Sequence, residues 1–143
     1  SGRNRGRIAF GAISTGLSQG GLDHSLAYAK EREQFGKPIS NYQLIQAKLA
    51  DMATNCEVAR RMTLYAAFLE SSGEECQNEA AMTKLFCTNV ATQASLDAFQ
   101  IHGGYGFMQE YTVNRFFREA KMLEIGEGTN EIMKLFIAKR LGC

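Results

Sequence analysis

Residues 41–71 read NYQLIQAKLADMATNCEVARRMTLYAAFLES. Ile45, Leu49, Met52, Cys56, Ala59, Met62, Ala66 and Leu69 recur three and four positions apart, with Lys48, Asp51, Arg60 and Arg61 between them. That period sets one apolar stripe along one long amphipathic helix. Upstream, over about residues 5–32, the positions Ile8, Ala12, Thr15, Gln19, Leu22, Leu26 and Ala29 keep the same period. This second stripe is small-sided. Gly11, Gly16, Gly20 and Gly21 each cost roughly 1 kcal/mol of helix propensity relative to alanine, so close approach by a neighbouring helix or a ligand is the expected compensation. Downstream, Ser71–Glu75 reads as a turn, and a third helix is expected over about residues 77–101, with Ala81, Leu85, Thr88, Thr92, Ser95 and Phe99 on one face. Two shorter helices follow, over about 113–123 and 129–141. No segment alternates with period two, so no sheet is expected. The fold class predicted is all-α, an antiparallel four-helix-type bundle with an extra C-terminal helix.

The chain of 143 residues is one domain in size and can bury a core. Its formal net charge is +1 with both signs interspersed, which argues against a polyanionic partner such as nucleic acid. Cys56, Cys76, Cys87 and Cys143 form no CxxC pair, and the two histidines, His24 and His102, have no zinc-ligand spacing. Reduced thiols of an intracellular protein and no metal site are expected. No apolar run reaches the ~18 residues that a membrane-spanning helix needs, so no membrane insertion is expected.

Three glycine-bearing corners separate the helices. Arg32-Glu-Gln-Phe-Gly-Lys-Pro-Ile39 follows the first; there Gly36 ends the helix and Pro38 prevents its resumption. Gln100-Ile-His-Gly-Gly-Tyr-Gly-Phe107 breaks the third, and Ile125-Gly-Glu-Gly-Thr-Asn-Glu-Ile132 lies between the last two. In that last corner Glu127 stands between two glycines, just outside a helix that Thr129 or Asn130 can cap. A carboxylate held there is a candidate general base; the competing reading is a solvated turn acid stabilised by the helix dipole. His102, next to a helix end and without a partner, reads as structural.

Together, and in this order, the three corners resemble the C-terminal domain of the acyl-CoA dehydrogenases, over about Arg7 to the end of the chain. Members of that family carry an N-terminal helical domain and a middle β-domain ahead of this bundle. Neither is in these residues, so the resemblance implies a domain or fragment of a longer chain. It also implies FAD as cofactor, an acyl-CoA substrate in fatty or amino acid catabolism, assembly into dimers or tetramers, and electron transfer to an electron-transfer flavoprotein. The place implied is the bacterial cytoplasm or the mitochondrial matrix.

In the family a carboxylate removes the α-proton of the thioester while the β-hydrogen leaves as hydride to the flavin. A carboxylate is a weak base for such a proton, so the site must stabilise the developing enolate and exclude water around the base. Glu127 matches the family's base position for position. Some branches place the base immediately before the arginine that matches Arg7, but here position 6 is glycine. Arg7 and Gly128 match substrate-side positions, whereas the acidic residue that relatives often carry three positions before Arg7 is Asn4 here. Arg32 is implied at the FAD pyrophosphate, with Gln34, Phe35 and Gln43 beside it. Gln100, Gly103 and Gly104 are implied at the adenosine half, on a cofactor held largely by a neighbouring subunit. Thr129 and Glu131 are implied to follow the base along the cofactor, and Gly126, often tyrosine in relatives, to open the acyl pocket. The alternatives are an oxidase-like or other flavin relative, and a non-catalytic helical assembly module.

Overall fold

The computed structural model describes residues 1–143. Five helices follow one another: α1 Gly2–Glu31, α2 Gln43–Ser71, α3 Gln77–His102, α4 Thr112–Ile125 and α5 Asn130–Arg140. Single 3-10 turns occupy Ile39–Asn41 and Gly103–Phe107. One departure from the all-helical expectation lies at the first corner, where β1 (Glu33–Gln34) pairs antiparallel with β2 (Lys37–Pro38). Its tip is a two-residue loop with Phe35 at φ 53° and Gly36 at φ 85°, the paired positive angles of a tight hairpin whose twist suits its strands. Strands of two residues are too short to show a period in sequence.

Cross-helix contacts give the directions. Ser1 meets Glu70, and Arg60 bonds Gln19, so α1 and α2 run antiparallel. Thr63 and Cys87 are 3.5 Å apart and Lys48 pairs with Asp97, so α3 reverses again. Lys84 reaches the carbonyl of Glu124, while Tyr28 and Tyr111 both pack on His102, which turns α4 back along α3. The four form an up-down-up-down bundle, and α5 folds back on α3.

Helix α3 is the centre, because it contacts each of the other four helices and is buried over most of its circumference: Ala80, Ala81, Cys87, Ala91, Ala94 and Ala98 leave room for these neighbours, and a narrow stripe of Asn89, Gln93, Leu96 and Gln100 is exposed. Thr88 and Ser95, polar residues of its expected face, are buried with their hydroxyls bonded to the carbonyls of Lys84 and Thr92. The inward face of α1 differs from the stripe read in the sequence. Gly11, Ser14, Ser18, Gly21, Ser25 and Ala29 are buried, whereas Ala12 and Leu26 face out. Small side chains win because a Cβ added to Gly11 would come within 2.6 Å of Thr83 Cγ2, so only glycine lets α1 and α3 approach this closely. Three packed clusters result: a main core that includes Ala29, Ile39, Met52, Ala98, Ile101, Val113 and Phe116, and two small ones, Ile8, Ala66 and Ala80 and Ala59, Cys87 and Val90; Leu123 and Met133 are also buried.

Candidate active site

The last turn of α4 ends where Gly126 N–H donates to Met122 O at 2.9 Å and then leaves the helix at φ −67°, ψ 158°. Glu127 follows at φ 56° and Gly128 at φ 87°, two successive left-handed residues. Thr129 is the N-cap of α5, its Oγ1 accepting from Ile132 N–H at 3.3 Å, and this decides between the two cap candidates. For glutamate the left-handed region is costly, of order 1–3 kcal/mol, and persists only where the surroundings over-determine it. Only two non-glycine residues of the chain adopt it, Glu127 and Phe35, one in each of two corners singled out by sequence.

Close contacts crowd the turn. A Cβ on Gly128 would lie 3.0 Å from Met133 Cε. A Cβ on Gly6 would collide with the Glu127 carboxyl, 2.7 Å from its Cδ, so the missing side chain at position 6 is the room the carboxylate uses. The base position and its alternative in other branches are thus one place in space, reached from α1 or from the turn. Arg7, half-buried, stacks on Phe136 at 4.6 Å. Burial lowers its pKa, and the nearby Arg3 adds to this while Glu127 opposes it. Glu131 is exposed, and its own backbone N–H and the Thr129 hydroxyl hold its carboxyl below the usual range. Asn4, at the position where relatives often carry an acid, is buried and bonds Glu70 and Cys76.

Two findings here were not anticipated. Gly126 is packed by Phe10 on one side, where a Cβ would sit 2.9 Å from the ring, while it also borders a surface pocket of about 490 Å³ with Phe117, Met122 and Ile125. Beneath the turn lies Lys84, fully buried, whose Nζ donates to Gly128 O at 2.6 Å, Glu124 O at 3.1 Å and Asn130 Oδ1 at 3.1 Å. Burial lowers its pKa from the ordinary lysine value, against the pull of Glu124, Glu131 and Glu127. Lysine reads by default as a surface residue; the usable signal was position, three after Ala81 and four before Thr88 on the expected inward face.

At the far end of the bundle Arg32, Gln34, Gly103 and Gly104 meet around a cavity of about 420 Å³, with Tyr28, His102 and Tyr105 among its walls. Nothing stands within 4 Å of a Cβ on Gly103 or Gly104, so a ligand can lie against their backbone. Arg32 stacks on Tyr105 at 5.4 Å. Like Glu127, it takes part in none of the chain's eight ion pairs. His102 is buried, bonded to Ala98 O and stacked on Tyr28, as its structural reading required, and burial lowers its pKa. Gln34, Phe35 and Gln43 line an adjoining groove of about 740 Å³. Gln100 is exposed and lines neither. A free guanidinium beside open glycine backbone suits a dinucleotide's phosphates and adenosine, so these residues fit FAD. Arg7, in the second turn of α1, and Arg32, its C-cap, are 25 positions apart with unbroken helix between them, roughly 37 Å along its axis.

The family described as acyl-CoA dehydrogenase, C-terminal domain, matches residues 1–142. The chain belongs to this family. As an acyl-CoA dehydrogenase C-terminal domain it is 54% identical over 136 residues to the probable acyl-CoA dehydrogenase YngJ of Bacillus subtilis, covering 95% of this chain and 36% of that protein. It is 47% identical over 135 residues to the acryloyl-CoA reductase (NADH) of Anaerotignum propionicum, covering 94% and 34%. The solved butyryl-CoA dehydrogenase of Megasphaera elsdenii superposes with a TM-score of 0.97 at 38% identity, over 99% of this chain and 37% of that one. The chain thus spans little more than a third of the length of these relatives.

Proposed function

We propose that the whole protein carrying this domain is an FAD-dependent acyl-CoA dehydrogenase in which Glu127 takes the α-proton of an acyl-CoA thioester. The observation that carries this reading is the Glu127 turn: an unpaired carboxylate on a left-handed residue, set against the bare backbone of Gly6 and next to Arg7. The Cα–H bond breaks toward the carboxylate, and its electron pair becomes the new bond between Cα and Cβ. FAD, when bound, supplies the acceptor for the β-hydrogen and its electron pair. The Glu127 backbone N–H polarises the thioester carbonyl, with Gly128 beside it on the substrate side. The acyl chain, packed over the turn, excludes water and so strengthens the base.

Arg32 would hold the pyrophosphate, Gly103 and Gly104 the adenosine half, and Gln34, Phe35 and Gln43 the adjoining part of FAD, with Gln100 at the rim. Thr129 and Glu131 stand beside the base. Because α1 separates the two ends by more than an extended dinucleotide spans, one chain serves two flavins, and the assembly is a homo-oligomer. Exposed Val58, Leu64, Tyr65 and Phe68 along α2 supply apolar surface for it. The electron acceptor is an electron-transfer flavoprotein. No helix is long and apolar enough to cross a membrane, and the bacterial relatives favour the cytoplasm.

The name of the acryloyl-CoA reductase relative favours a second direction for the same site. In that direction the hydride to Cβ would come from reduced FAD, and the protonated Glu127 would return a proton to Cα. Anaerobic mixing of the whole flavoprotein with saturated acyl-CoA thioesters tests the main reading. Loss of oxidised-flavin absorbance, with re-oxidation by electron-transfer flavoprotein faster than by oxygen, is expected. Rapid re-oxidation by oxygen would mark an oxidase. No bleaching with any thioester, or no bound FAD, would leave a helical assembly module.

A further inference from the structure

We propose that Lys84 is a positioning residue for Glu127: bound to carbonyl oxygens on both sides of it, the buried side chain holds the 126–129 turn in its left-handed conformation. This rests on the reading of Glu127 as the base. Lys84 lies on α3, more than 40 positions from the turn, and fixes it at two places, Glu124 O before Glu127 and Gly128 O after it. Its third bond goes to Asn130 Oδ1. Asn130, buried at the first residue of α5, is itself clamped to α3, its Nδ2 donating to Thr88 Oγ1 at 2.9 Å and Asn89 Oδ1 at 3.1 Å.

Three acceptors use all three N–H bonds of the charged ammonium. No carboxylate forms a contact ion pair with it; the compensation comes from the C-terminal end of α4, where unpaired carbonyls and the helix dipole favour a cation. A purely structural strut would not need a charge here. Burying an ammonium is expensive, and α3 elsewhere fills its surroundings with alanine, threonine and cysteine. All three bonds converge instead on a segment of seven residues, and the one residue in it that strains toward a left-handed angle is Glu127.

The test uses the whole flavoprotein. Lys84→Met keeps length and apolar bulk but loses all three bonds. Flavin bleaching by acyl-CoA should slow by about 10²-fold, the loss expected from misplacing a reacting group by about 1 Å, while the thioester's dissociation constant stays within about twofold. Hydrogen exchange at Gly126, Ile132 and Met133, whose amides bond within the turn and its flanks, should accelerate more than tenfold, with α3 amides unchanged. Lys84→Gln, which keeps one donor group, should fall between. A bleaching rate within twofold of wild type, or uniform acceleration of exchange across α3 and α5, overturns the proposal and makes Lys84 a core strut. If neither variant folds, the unmutated protein decides. Gly126 and Met133 must then exchange as slowly as the α3 core, and exchange by separate local opening overturns it. Glu127→Gln separates the two claims: if it bleaches normally, the base assignment fails, whereas Lys84's hold on the turn is still read by exchange.

Discussion

Glu127 shows how a single residue's backbone angle and neighbours can be turned into a test. Gly6 sits inside α1, where alanine should stabilise the helix by roughly 1 kcal/mol, yet a Cβ there collides with the Glu127 carboxyl. That carboxyl is the end of a flexible side chain, so it yields rather than the helix. Gly6→Ala is therefore expected to raise stability in urea while slowing flavin bleaching in the whole protein by tenfold or more. Slower bleaching with no gain in stability would mean that the helix moved instead. Much at this scale was legible in sequence: the glycines on either side of Glu127, a cap at Thr129 or Asn130 and the bare position 6 all followed from residue type. Lys84 and Phe10 were not. A lysine in a helical run reads as surface, and its burial depends on carbonyls that only the folded chain brings together. The ring of Phe10 reaches Gly126 from another helix, which no local reading of a glycine can reveal.

At the scale of elements, the two faces of α1 respond oppositely to the same change. Gly16 is exposed and has nothing within 4 Å of an added Cβ, whereas Gly11 is buried against Thr83 and Thr63. Gly16→Ala should stabilise by about 1 kcal/mol. Gly11→Ala should destabilise, since overpacking costs typically 1–3 kcal/mol and exceeds the propensity gain. Urea unfolding of the two variants checks this, and a gain at both positions would show that α1 can move away from α3. The helices themselves were readable because their periods run for many turns. The inward face of α1 was not: the reading gave weight to Ala12 and Leu26, while close packing selected the serines and glycines a few positions around the helix. The hairpin escaped for lack of length, and the buried arc of α3 is wider than the single stripe read for it, because alanine, threonine and serine carry little apolar signal.

For the whole molecule, the two candidate ends lie too far apart for one cofactor, with Glu127 and Arg7 at one and Arg32, Gly103 and Gly104 at the other. On the proposed reading a second subunit completes each site, and the exposed apolar residues of α2 fit that role. Sedimentation of the whole flavoprotein should show dimers or tetramers at micromolar concentration; a monomer retaining FAD and activity would contradict it. The family's order of corners made this division visible in sequence, while the distance between them came only with the unbroken length of α1. The central claim is that Glu127 is the base, and one measurement reaches it most directly. Glu127→Gln is nearly isosteric and keeps both flanking glycines, so fold and FAD binding should persist. On anaerobic mixing with a thioester that reduces the wild-type flavin, its bleaching rate should fall by ~10²- to 10⁴-fold, the usual cost of losing a general base. Bleaching at a rate near wild type would contradict the account and make Glu127 a turn acid.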